Sequence, residues 1–167
     1  MRKTHSTSTA TFVSPNTGPI GHVVEDQVRI LTRPLRLDGV QGSAEPAELD
    51  NIRVALYTVT LDDDGVLLQG LADTHQGLVV AGYGVGHVPA KLAPVLGELA
   101  SRIPVVLTSR TGAGSIVRNT YNSPGSETDL LQRGLIDGGF LDPYKARVLL
   151  RLLLATDDDL TVFGQYS

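Results

Sequence analysis

Gly77-Leu-Val-Val-Ala-Gly-Tyr-Gly-Val-Gly-His-Val-Pro89 decides the fold, read together with Ile103-Pro-Val-Val-Leu-Thr-Ser-Arg-Thr-Gly-Ala-Gly114 downstream. Each is a short apolar run that stops abruptly in glycines and polar residues. A strand buried on both faces has this character, and its loop is delivered at the carboxyl end, where open α/β sheets place their sites. Between the two runs, Pro89-Ala-Lys-Leu-Ala-Pro-Val-Leu-Gly-Glu-Leu-Ala-Ser101 has apolar residues at helical spacing. Two parallel strands joined by one helix predict a crevice at their carboxyl ends.

Working outward, Ile52-Arg-Val-Ala-Leu-Tyr-Thr-Val-Thr60 reads as a preceding strand and Leu61-Asp-Asp-Asp-Gly-Val66 as a polar break. Val66 to Thr74 is a short helix candidate. After the second strand, residues 112–125 form a long irregular loop, and Glu127 to Arg133 a short helix closed by Gly134. The strongest helix runs from Pro143 to Ala155, with Asp142 as N-cap and the proline in its first turn. Asp157-Asp-Asp159 is expected to start a final helix. Strands alternating with helices predict an α/β fold with a parallel sheet, doubly wound by right-handed crossovers.

The first third of the chain is different. Thr9-Ala-Thr-Phe-Val13, a turn-rich Ser14 to Gly21, and His22-Val-Val followed by Glu25-Asp-Gln and Val28-Arg-Ile-Leu-Thr32 read as short β segments and a hairpin. Pro34, Gly39, Gly42 and Pro46 among acidic residues mark a linker. The expected organisation is therefore a β segment over 1–33, a linker over 34–50 and an α/β domain over 51–167.

Composition excludes several functions. The 167 residues are 41% apolar and 19% charged, with a net charge of −4 and no basic stripe, so no nucleic-acid partner is expected. No apolar run is long enough to span a bilayer, and no membrane partner is expected. The absence of cysteine removes disulfides, thiolate metal sites and cysteine nucleophiles. His5, His22, His75 and His87 show no pair at ligand spacing, so neither a metal nor any other cofactor is expected. Asp62-Asp-Asp-Gly65 and Asp157-Asp-Asp159 lack the spaced oxygens and terminal glutamate of a calcium loop. Gly82-Tyr-Gly-Val-Gly86 has the wrong spacing for a dinucleotide fingerprint and reads better as a tight turn. His87 closes that turn where a helix start is expected, which would disfavour its protonated form. There is no Gly-x-Ser-x-Gly elbow.

Arg2-Lys-Thr-His-Ser-Thr-Ser-Thr-Ala-Thr-Phe-Val-Ser-Pro15 with Gly18-Pro-Ile-Gly21 resembles a late N-terminal-domain segment of the bacterial L-asparaginases. The two runs quoted first, with Lys145-Ala-Arg-Val-Leu-Leu150, resemble their C-terminal domain, in the family's order and over nearly the whole chain. The resemblance implies an asparaginase C-terminal α/β domain over 51–167, preceded by a remnant of the N-terminal domain. It implies hydrolysis of L-asparagine to L-aspartate and ammonia through a threonine acyl-enzyme. The family's proton-handling lysine maps onto Lys3, which would activate a threonine as base or cation. In the family the C-terminal domain completes a neighbouring subunit's site. There His87 stands in the slot of an asparagine and Tyr121 in that of a glutamate, which implies substrate-binding roles for both. Either replacement can hydrogen-bond an α-amino group or a carboxylate, and the choice between asparagine and glutamine stays open.

Neither Thr-Gly-Gly-Thr nor Thr-Asp-Thr, the family's nucleophile and second-threonine stretches, occurs in these residues. Loss of a nucleophile costs on the order of a millionfold in rate. The expectation is a truncated, inactive form of an amidohydrolase, with a non-catalytic ligand-binding or subunit-binding α/β module as the alternative. The implied partners are L-asparagine or a related amino acid and further copies of the chain, full-length relatives being tetramers. A cytoplasmic setting is expected.

Overall fold

The computed structural model describes residues 1–167 in two compact units, Met1–Asp38 and Gly39–Ser167. In the first, β1 (Arg2–Lys3) pairs antiparallel with β2 (Phe12–Val13), placing Lys3 opposite Phe12. The loop between them is held by polar side chains. Thr11 Oγ1 accepts from the His5 N–H at 2.7 Å, and His5 Nδ1 accepts from the N–H groups of Thr7 and Ser8 at 3.1 Å each. A second hairpin joins β3 (Gly21–Val24) to β4 (Gln27–Ile30). Glu25 and Asp26 at its tip both have positive φ, the two-residue turn whose twist suits the flanking strands.

The second unit begins with irregular chain and α1 (Pro46–Asn51), opened by a capping box between Glu45 and Glu48. Residues 34–50, which Pro and Gly mark as linker, thus contain a helix. Its last turn is tied down by Arg151, whose Nε donates to the carbonyls of Leu49 and Ile52 at 3.1 Å each. The main elements follow as β5 (Val54–Thr58), α2 (Leu71–Thr74), β6 (Gly77–Gly82), α3 (Ala93–Ala100), β7 (Val105–Ser109), α4 (Glu127–Gln132), β8 (Ile136–Asp137) and α5 (Pro143–Thr156). The four strands form one parallel sheet in the order β5-β6-β7-β8.

Alternation along the strands divides the core into two layers. Leu78, Val80, Val105 and Leu107 pack with Leu92, Leu96 and Leu99 around α3 and with Leu130 of α4. Val54, Val79 and Val106 point the other way, onto Ala146, Leu150 and Leu153 of α5 and onto Phe163. Helices cover both faces, as a doubly wound sheet requires, but unequally. The crossover elements pack on the first face, and α5 closes the second. Every residue of β6 is buried, which explains its unbroken apolar run.

Local boundaries differ from the sequence reading for identifiable reasons. The 66–74 helix divides into a 3₁₀ turn, Val66–Leu68, and α2, because Gly70 between them has φ of +72°. The helix read from Pro89 begins at Ala93, with Pro94 in its first turn. The acidic run 157–159 serves three ends. Asp157 terminates α5 in the left-handed region, and Asp159 caps a 3₁₀ stretch, Leu160–Tyr166. The Asp158 carboxylate accepts from the N–H groups of Gln41 and Gly42 at 3.1 and 3.0 Å.

Candidate functional site

The loops at the carboxyl ends of β6 and β7 converge. After Gly82 the chain reverses at once: the Tyr83 N–H donates to the His87 carbonyl at 2.7 Å, and the His87 N–H returns a bond to Tyr83 at 2.9 Å. Gly86 makes this turn possible, since φ there is +112° and a Cβ would press on Leu107 and Ile116 at 3.2 Å. The glycine-rich stretch is therefore a tight reversal packed on the core, and its Gly84 carbonyl is already taken by the Ser109 hydroxyl at 2.5 Å. Its product is the outward placement of His87.

The loop after β7 is pinned against that turn. The Val88 N–H donates to the Gly125 carbonyl at 2.8 Å, and Gly125 has φ of +84° with the Val88 carbonyl where a Cβ would stand. Ser126 caps α4, its hydroxyl donating to the Tyr121 carbonyl at 2.9 Å. As a result Tyr121 meets His87 edge to face, with ring centroids 4.8 Å apart and planes at 71°. Behind the pair sits Glu127, fully buried. Its Oε1 accepts from the N–H groups of Thr120 and Tyr121 at 2.9 and 2.8 Å, and Oε2 lies 3.4 Å from His87 Nε2. Burial opposes the charge on this carboxyl, but the N–H groups of Tyr121 and Thr120 outweigh it and hold Glu127 below the usual carboxylate range.

Neighbouring loops are braced by their own polar contacts. Tyr57 donates its hydroxyl to both oxygens of Asp63 at 2.6 Å, and Asp63 also accepts from the Gly65 N–H at 3.0 Å. Burial raises the Tyr57 hydroxyl far above its ordinary value, and the Asp63 carboxylate adds to the rise. For Asp63, burial acts upward but the hydrogen bonds from Tyr57, Gly65 and Thr60 prevail and lower it. Lys91 pairs with Asp62 at 2.6 Å. Arg110 stacks over Tyr83 at 4.3 Å while donating to the Val59 carbonyl at 2.6 Å, and the Tyr83 hydroxyl donates to the Thr60 carbonyl. Asp63, Ser109 and Arg110 are thus occupied in holding backbone, while Asp62 pairs with the Lys91 side chain.

A model of the glutaminase/asparaginase C-terminal domain matches residues 53–166. The chain belongs to the glutaminase/asparaginase family. Among curated relatives, a probable periplasmic L-asparaginase of Haemophilus influenzae is 31% identical, with 99% of this chain and 47% of the relative covered. One subunit of the glutamyl-tRNA(Gln) amidotransferase of Methanothermobacter thermautotrophicus is 33% identical over 95% of this chain and 36% of its own length. A solved structure of a probable cytoplasmic L-asparaginase from Campylobacter jejuni superposes with a TM-score of 0.77 at 28% identity, over 99% of this chain and 49% of that one. The chain spans about half the length of these relatives or less.

Of the residues that the asparaginase resemblance singles out, His87 and Tyr121 come into ring contact in the C-terminal domain, whereas Lys3 is an exposed residue of the first unit. Glu127 escaped the sequence reading, where it was only the start of a short helix. The one signal for it was Ser126 before it with Asp129 three residues on, an N-cap pattern that fixes the helix start but says nothing of burial. His87 does not stand at a helix start, because α3 begins six residues later, beyond the first turn over which a helix dipole acts. The charge that faces His87 is the Glu127 carboxylate.

Proposed function

We propose that this asparaginase-family domain supplies the ligand-facing His87 and Tyr121 to an amidohydrolase that hydrolyses L-asparagine to L-aspartate and ammonia, and that these 167 residues do not turn over by themselves. The observation that carries the reading is the convergence of His87 and Tyr121 on one partly exposed spot, backed by a buried carboxylate. An imidazole and a phenol there offer a hydrogen-bonding edge to the α-ammonium or carboxylate of an amino acid. The threonine that would form the acyl-enzyme lies in neither of the loops described. Lys3 keeps the proton-handling role assigned by the resemblance, dependent on a threonine that these residues do not contain. Assembly with further copies, and a cytoplasmic setting like that named for the Campylobacter jejuni neighbour, belong to the same proposal; the Haemophilus influenzae relative is named periplasmic.

The amidotransferase relative favours a second reading, in which the same domain serves part of an amidotransferase and takes a different amide. Nuclear magnetic resonance titration of the 167-residue chain with L-asparagine, L-aspartate and L-glutamine separates them. The first reading expects shifts at His87 and Tyr121 with L-asparagine or L-aspartate; the second expects them with L-glutamine instead. Shifts confined to other surfaces would sink both.

A further inference from the structure

We infer that Glu127 is a positioning residue that holds the His87 proton on Nε2 and thereby presents Nδ1 as the hydrogen-bonding atom of the site. The inference rests on the reading of His87 as ligand-facing. Glu127 is fully buried, so it cannot touch a ligand itself; whatever it does at the site, it does through a neighbour. Its two oxygens have separate fates. Oε1 is engaged by the N–H groups of Thr120 and Tyr121. Oε2 is buried without a hydrogen-bond donor, and its charged neighbour is His87 Nε2 at 3.4 Å. That distance is an ion-pair contact just short of hydrogen-bond geometry.

Leaving a buried carboxylate oxygen without a donor is costly, more so than for a neutral polar group. A proton on Nε2 removes most of that cost with a small turn of the ring. A lone pair on Nε2 would instead face the carboxylate and add repulsion. In the neutral imidazole the proton therefore stays on Nε2, and Nδ1 carries the lone pair. The His87 side chain keeps 28% of its surface exposed, and Tyr121 packs edge to face against the ring and limits its rotation. Glu127 on α4 and Tyr121 on the preceding loop are the titratable groups in contact with the ring. An Nδ1 acceptor suits a ligand N–H, from an ammonium or an amide.

A purely structural Glu127 would need only its Oε1 clamp on the Thr120–Tyr121 backbone and would leave the tautomer unbiased. The two accounts separate in the ¹⁵N shifts of the His87 ring, read by long-range proton–nitrogen correlation on the whole 167-residue chain. The measurement is made at about pH 8.5, roughly two units above the ordinary imidazole value. The Nε2–H form is expected to exceed the Nδ1–H form by at least about fivefold, the factor given by one ordinary hydrogen bond. An excess of Nδ1–H, or an even mixture, overturns the inference.

Glu127→Gln sharpens the test. Its carbonyl oxygen can keep the two backbone donors, while its NH₂ replaces Oε2 against Nε2. A donor there should draw the lone pair to Nε2 and reverse the tautomer, and an unchanged ratio in the folded variant contradicts the proposal. If that variant does not fold, the wild-type ratio still decides. Because both readings are taken without ligand, a failed L-asparagine titration counts against the functional reading alone.

Discussion

The two units of this chain are opposites in how their apolar residues are spent. In residues 39–167 the strands carry Leu78, Val80, Val105 and Leu107 to full burial on one face and Val79 and Val106 on the other. In residues 1–38 Thr11 is the one buried residue, while Val23 and Val28, directly paired across β3 and β4, are each 71% exposed. Backbone pairing and local polar contacts such as those of Thr11 and His5 hold the hairpins; side-chain packing holds the sheet domain. A two-stranded ribbon without a covering layer is marginal in water, whereas a sheet covered on both faces can be independently stable. Order at the candidate site therefore derives from the second unit, whose core fixes the carboxyl ends of β6 and β7.

The contrast can be broken most forcefully by Leu96→Ala, which empties a fully buried position between α3 and the sheet. A loss of about 2–5 kcal/mol in the urea unfolding of residues 39–167 is expected. Val28→Ala should change the same transition by less than about 0.5 kcal/mol. Equal effects would mean that the hairpin shares the core's stability. Acid should act more gently. Asp63 has a lowered folded pKa, so its contribution is present above the ordinary aspartate value of about 3.9 and fades as pH falls through the folded value. Unfolding followed between pH 6 and about pH 3 should show this loss, and Asp63→Asn should flatten it. A variant as acid-sensitive as the parent would assign the loss to other carboxylates.

Much of this fold was legible in residue patterns. β6 and β7 announced themselves as apolar runs ending in glycine, and α5 by Asp142 and Pro143 at its start. β8 was not visible, because two residues, Ile136–Asp137, carry no periodicity and pair only because β7 lies beside them. The site divides in the same way. The family resemblance pointed to His87 and Tyr121 separately, and sequence spacing said nothing of their contact across an intervening helix and strand. Glu127 was beyond reach, since burial of a glutamate is decided by tertiary packing and opposes its composition-based expectation.

Ammonia release from L-asparagine by the purified 167-residue chain tests the central claim most directly. The proposed reading expects no release above the spontaneous background, because the Thr-Gly-Gly-Thr and Thr-Asp-Thr stretches that the family resemblance calls for do not occur in these residues. Sustained release that survives Lys3→Ala would contradict the account and place a complete catalytic apparatus within these residues.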